Sequence, residues 1–324
     1  MNRLRAYRAI EDLNQEELGA ILNLSPQMIS AIESGRRTFA GSLEPLGYSD
    51  QRMELPDMSE PLHRQRAATK VTARRRAQEL LRLAGEVFVE LRDRTPGAPR
   101  LALEHLGPAA TPDDLEDLAL EVRAAVRHEE TGPIRNLTAS VEEAGVCIIP
   151  IVGLPGIDGL SAWVAGVPVI GVAPNVSGDR FRLTLGHELA HLLVHRRKTD
   201  ATESEANRFA GALLIPRDDF DAAMPARPQL RDFIALKSAW GVSVAALVYR
   251  AHELEYVDDK RYRALQIQMA KWRRVEPGRF DPVPGALLRR LIEVNQGLTS
   301  VSKTLGVNVR HLGELTNWSH LRLA

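Results

Sequence analysis

Leu183-Thr184-Leu185-Gly186-His187-Glu188-Leu189-Ala190-His191-Leu192-Leu193-Val194-His195 is the stretch on which the reading of this chain turns. The run from Leu183 to Leu193 supplies a helix, expected over Phe181–His195. On it His187 and His191, four residues apart, project from one face about a turn from each other, close enough for two imidazoles to hold one zinc ion. Glu188 lies beside them and reaches the open side of such a metal. There a carboxylate can take a proton from an activated water attacking a carbonyl and later deliver it to the leaving amine.

Two histidines leave a catalytic zinc one protein ligand short. His195 sits eight residues after His187, roughly 12 Å along a straight helix, too far to converge on the same ion; its expected role is structural or in support of a ligand. The alternative is a glutamate on a following helix, predicted over Glu203–Leu214 after a turn at Arg196–Thr202. At helical spacing Glu203, Ala206, Asn207, Ala210 and Leu214 share one face, whose small and apolar members mark it as packed on the motif helix. Glu205 and Arg208 point elsewhere and suit a solvated ion pair. Glu203 is therefore the expected third ligand, against the competing reading that both glutamates lie on an exposed helix.

Before the motif, helical periodicity runs through Ala77–Leu91 and Leu115–Val126, the second opened by Thr111-Pro112-Asp113-Asp114: a cap, a first-turn proline and acidic residues at the positive helix end. A helix from about Ile134 to Ala144 feeds an apolar run, Val146–Pro150, and Gly159–Ala165 with Pro168–Val172 read as paired strands around Gly166. After the motif come helices expected at Glu203–Leu214, Leu230–Trp240, Val244–Leu254 and Lys260–Arg273. The class is α+β, mainly helical with a small sheet. The tail repeats a helix, Gly-containing turn and helix through Leu287–Val294 and Thr299–Leu312.

At the other end, Asn14 with Glu17 three residues on makes a variant capping box, and Ser25-Pro26 resets the chain into a second short helix that stops at Gly35. Two short helices about a tight turn are a helix-turn-helix candidate. From Arg37 to about His63 the pattern dissolves into Gly, Pro, Ser and mixed charge, which reads as a linker or loosely packed arm. Arg64–Lys70 and Arg74-Arg75-Arg76 are strongly basic and could touch phosphate, or simply form a solvated helix start, since no aromatic residues interleave. The expected organisation is a helix-turn-helix at 1–40, a basic arm at 41–75, a helical connector at 76–132, a catalytic domain at 133–278 and a helical tail at 279–324.

The 324 residues carry 42 Lys plus Arg against 42 Asp plus Glu, so no global field draws the chain to nucleic acid or an anionic membrane, and any such contact needs a local patch. Cys147, the single cysteine, lies in Val146-Cys147-Ile148-Ile149 and reads as a buried small hydrophobe; one cysteine suits a reducing compartment. The N-terminus lacks a signal-peptide core, and no apolar run approaches membrane-spanning length, so the expected location is cytoplasmic, without membrane contact.

Gly186-His187-Glu188-Leu189-Ala190-His191, Glu203-x-Glu205-Ala206-Asn207-x-Phe209-Ala210 and Leu213-Leu214-Ile215-Pro216 together resemble the ImmA/IrrE family of bacterial metallopeptidases. The resemblance covers roughly Pro133 to Pro277 and includes Asp158-Gly159-Leu160-Ser161 before the site and Leu236–Ser243 with Tyr249-Arg250 after it. Two departures are an isoleucine in the family's Leu-Leu-Met-Pro and a short interval from His191 to Glu203. By likeness, His187, His191 and Glu203 would bind Zn2+ in a zincin-like domain and Glu188 would be the base. Tyr249 and Arg250 are candidates for stabilising the oxyanion. The family is known for cutting a helix-turn-helix repressor of a mobile-element or stress-response operon, which would make the partner a protein substrate. Asn14–Gly19, Ser25–Ser30 and Ile32–Arg37 resemble an XRE-type helix-turn-helix, in which Gln27 would read a base and Arg36 and Arg37 would meet phosphates. The competing class is a non-catalytic DNA-binding regulator or antitoxin component that uses the peptidase fold for binding or sensing.

Overall fold

The computed structural model describes residues 2–61, 71–103, 105–109, 111–127, 131–197, 199–272 and 276–319; the basic run at 64–70 lies outside them. The order begins with α1 (Arg3–Ile10), α2 (Gln15–Leu22), α3 (Pro26–Glu33), α4 (Val71–Arg94), α5 (Pro112–Arg127) and α6 (Leu137–Glu143). Three strands follow, β1 (Cys147–Pro150), β2 (Gly159–Val164) and β3 (Val167–Val172). Then come α7 (Gly178–Leu193), α8 (Thr202–Leu214), α9 (Arg217–Ala223), α10 (Leu230–Trp240), α11 (Val244–Glu253) and α12 (Asp259–Met269). The tail forms α13 (Leu287–Val294), α14 (Gly297–Leu305) and α15 (Val309–Glu314). The fold is α+β, dominated by helix.

Local chemistry accounts for the boundaries. Asn14 accepts from the backbone N–H groups of Glu16 and Glu17 while Glu17 reaches back to the Asn14 N–H, a complete capping box for α2. Ser25 caps α3 and Pro26 occupies its first position, where a missing N–H costs nothing. Ala165 and Gly166 both take positive φ, +48° and +77°, the backbone a two-residue hairpin requires, and they join β2 to β3. The helix α9, not anticipated from the sequence, starts directly after Pro216.

Packing divides the chain into two compact units, each assembled from separated segments. The first comprises Met1–Arg100, Gly145–Ala173 and Gly285–Trp318. Its sheet has the order β1-β3-β2, with β3 parallel to β1 and antiparallel to β2. The central strand is buried along its whole length, and α4 lies across the sheet. Gly85 allows that approach: a Cβ there would come within 2.5 Å of Val164. The tail shares this core, with Leu288, Leu291, Val301, Leu305 and Leu312 in one apolar cluster with Leu4, Leu18, Ile29, Leu80 and Val169.

The stretch read as a linker is packed instead. Leu43, Leu46 and Tyr48 are buried, and short 3-10 turns at Glu44–Leu46 and Asp50–Arg52 organise the chain between them. Ser49 N–H donates to the Gly306 carbonyl at 2.9 Å, and Ser59 N–H donates to the Trp163 carbonyl at 2.8 Å, laying this segment along the β2 edge. The apolar positions are too few for helical or strand periodicity to reveal them, because their partners, such as Arg3 and His311 on Tyr48, come from distant parts of the chain. Arg76 of α4, part of the basic stretch, donates to the Ile10 carbonyl at 2.8 Å and pairs with Glu314. Arg3 donates to both oxygens of Glu86 at 2.7 Å within the same unit.

The second unit comprises Leu101–Ala144 and Pro174–Pro284. Here α8 packs against both α7 and α5, and α10, α11 and α12 pack in succession. Buried ions join its helices: Lys237 donates to Asp179 at 2.5 Å and to Glu276 at 3.1 Å. Charges so deeply buried require partners of this kind. Among the described residues no single helix is long and apolar enough to cross a membrane.

Candidate metal centre

The helix α7 carries His187, Glu188 and His191, and α8 supplies the residues that meet them. Gly186, adjacent to the first histidine, is where the two helices approach: a Cβ on it would lie 3.3 Å from that of Ala210. The packed face predicted for α8 is the one observed, with Ala206, Ala210 and Leu214 buried, and this brings Glu203 and Asn207 over the histidines.

His187, His191 and Glu203 offer ligand atoms that all lie within 4.8 Å of one another. The two Nε2 atoms are 3.0 Å apart. Glu203 Oε2 lies 3.5 Å from His187 Nε2, and Oε1 lies 3.9 Å from His191 Nε2. A tetrahedral zinc with bonds of about 2.0–2.1 Å would hold such donors about 3.3 Å apart, so the set fits with small side-chain adjustments.

Hydrogen bonding around the triad assigns the tautomers. Glu205 is an acceptor, so His195 donates its Nε2–H to Glu205 Oε2, at 3.1 Å. The His195 Nδ1 lone pair then accepts from His191 Nδ1–H, at 3.2 Å. Asn207 Oδ1 accepts from His187 Nδ1–H at 3.0 Å. Both Nε2 atoms are thereby left as lone pairs that face each other beside a carboxylate, an arrangement that a shared cation satisfies.

Electrostatics follow from the same neighbours. Burial works against a charged His187, but the Glu203 carboxylate 3.5 Å from its Nε2, the charge of Glu188 and its contact with Asn207 outweigh it and raise its pKa above the ordinary histidine value, so the ring gains a second proton more readily than usual when no cation is bound. Burial of His195 prevails over Glu205 and lowers its pKa, favouring the neutral ring. Glu188 is 3% exposed and near enough to His187 to act on its charge.

The structure corrects the reading of Glu205 and Arg208, which do not pair with each other in solvent. Glu205 joins His195, while Arg208 reaches Glu116 at 3.5 Å and Glu253 at 3.4 Å. Neither partner could be found from α8 alone, since one lies beyond the end of α7 and the others on α5 and α11. Arg250, a candidate for the oxyanion, is 1% exposed. Its guanidinium donates to the Ile215 carbonyl, to both oxygens of Glu116 and to Glu253. So engaged, it clamps α11 to α5, and helical periodicity had given no sign of Glu116 as its partner. Tyr249 is half exposed, and the charges acting on it are those of Glu253, Tyr262 and Arg208, none of them in the triad.

In the first unit Arg8 of α1 donates to both oxygens of Glu33 at 2.7 and 2.9 Å, and Gln15 donates to the same carboxylate at 2.9 Å, bracing α3 from behind. Gln27, Arg36 and Arg37 are exposed at its two ends.

The folds and the site together define a chain with a helix-turn-helix domain and a metallopeptidase-like domain. Residues 142–252 match the peptidase family described as the IrrE N-terminal-like domain, and residues 4–42 match the helix-turn-helix family. The two matches, in this order, resemble the ImmA/IrrE-like architecture with an N-terminal XRE-type module. No curated protein matches the chain.

Proposed function

We propose that the chain is a zinc-dependent endopeptidase that cuts a regulatory protein, a helix-turn-helix transcriptional repressor of a mobile-element or stress-response operon. The observation that carries this reading is the convergence of two imidazole lone pairs and a carboxylate at 3.0–3.9 Å, with a buried acid, Glu188, next to the first of them. His187, His191 and Glu203 would hold the ion, leaving one coordination position for the reaction. Bound zinc supplies Lewis acidity, which activates water near neutral pH and polarises the scissile carbonyl. Glu188 takes the proton from the attacking water and hands it to the departing amine. Asn207 and His195 hold the imidazoles in the form that presents Nε2 to the ion.

The matched helix-turn-helix, with Gln27, Arg36 and Arg37 exposed, supports DNA binding as a second activity of the same polypeptide. It would place the peptidase at the operator its substrate occupies.

Replacing Glu188 tests the enzyme reading, because Glu188→Gln keeps size and hydrogen bonding while removing the base. Zinc content and thermal stability are expected to stay near wild type, while cleavage of a repressor encoded beside this gene falls at least about a hundredfold. Wild-type protein that leaves such neighbours intact, with a mutant that still complements in cells, would favour the non-catalytic regulator or antitoxin instead.

A further inference from the structure

We propose that His195 and Glu205 form a proton-bonded relay that sets the tautomer of His191 and so its competence as a metal ligand; the proposal rests on the metal-centre reading above. His195 lies just past the end of α7, with its side chain 5% exposed. Its ring bridges two elements: Nδ1 faces His191 Nδ1 at 3.2 Å, and Nε2 faces Glu205 Oε2 at 3.1 Å.

The direction of the relay is fixed at one end. Glu205 Oε2 is the acceptor in the 3.1 Å contact, so the hydrogen there belongs to His195 Nε2. A neutral imidazole carries one N–H, which makes His195 Nδ1 an acceptor, and the hydrogen in the second contact then belongs to His191 Nδ1. The lone pair of His191 is forced onto Nε2, the atom that faces His187 and Glu203. The opposite tautomer would point an N–H at the metal position, toward His187 Nε2 at 3.0 Å, and leave two lone pairs opposed at 3.2 Å on the His195 side; the Glu205–His195 chain is what tips the balance to the ligating form.

This extends the usual support of a ligating histidine by a carboxylate across one additional ring. His187 gets the same service directly from Asn207. The two candidate ligands are thus held by two residues two positions apart on α8, Glu205 and Asn207, while Glu203 two positions earlier would be the third ligand. A single helix supplies the third ligand and both orienting groups.

Glu205 and His195 are positioning residues, and the test reads position as well as affinity. Zinc alone is titrated into metal-free full-length protein against a chelator of known affinity, and the histidine tautomers of the metal-free protein are read by nitrogen–proton NMR correlation. Glu205→Leu is expected to weaken zinc binding about tenfold to a hundredfold and to remove the uniform Nδ1–H signature of His191. Glu205→Gln, which keeps an oxygen acceptor without the charge, should recover most of both. His195→Phe, similar in volume but without nitrogens, should behave as Glu205→Leu does. Unchanged affinity and tautomer in the Leu and Phe variants would overturn the relay, as would a Gln variant as weak as the Leu variant, since charge alone would then be responsible. A wild-type chain that takes no zinc would defeat the metallopeptidase reading, while the tautomer signature would still judge the relay.

Discussion

Tyr48 donates its hydroxyl hydrogen to His311 Nδ1 at 2.7 Å across 263 positions of sequence. His311 in turn donates Nε2–H to Glu11 at 2.5 Å, and its ring packs against Tyr7, centroids 5.4 Å apart. The C-terminal helices are therefore built into the same core as the helix-turn-helix.

Tyr48→Phe keeps the ring and deletes one hydrogen bond, leaving His311 Nδ1 buried without its donor. Stability of the first unit is expected to fall by about 1–3 kcal/mol, read as a lower urea midpoint at an unchanged slope. A midpoint equal to wild type would show that water replaces the hydroxyl there.

His311 also gives this unit a pH dependence. Burial lowers its pKa below the ordinary histidine value, against the opposing pull of Glu11, with Glu314 also raising it and Arg310 lowering it. Tyr7 and Tyr48 face the ring as well. The unfolded chain then binds the proton more readily than the folded one, so this contribution is present above about pH 6.5 and is lost as pH falls through the lower folded value. Wild-type stability should decline between pH 7 and 5, a slope that His311→Phe reduces. Equal slopes in the two proteins would assign the decline to other groups.

At the metal centre, purified wild type is expected to hold about one zinc per chain, and His191→Ala to hold almost none, since two ligands bind weakly. Glu203→Ala should lose far more zinc than Glu205→Ala, which removes an orienting group and leaves the ligand in place. Metal analysis in which Glu205→Ala is the more damaging change would reverse the roles of the two glutamates.

For the helix-turn-helix, full-length protein should bind duplex DNA from upstream of its own gene with strong salt dependence. Arg36→Ala should weaken it across sequences and reduce the log–log salt slope by about one. A salt-insensitive interaction, or none, would leave the module as a packing element.

Much of this was written in local sequence. The capping box at Asn14 and Glu17, Pro26 at a first helical turn, the Ala165-Gly166 hairpin and the four-residue spacing of His187 and His191 each act within a few residues, so pattern alone determined them. The packed face of α8 was legible too, because small residues recur at helical spacing around Glu203. What lies between distant segments was not. Nothing near Tyr48 says that a residue 263 positions on will meet it, and its stretch therefore reads as linker. Glu205 and Arg208 at i,i+3 resemble a surface pair, yet one turns to His195 and the other to Glu116 and Glu253. Periodicity reports which side of a helix is buried; the partner of a charged group is decided by whichever chain folds against it, and only tertiary structure supplies that.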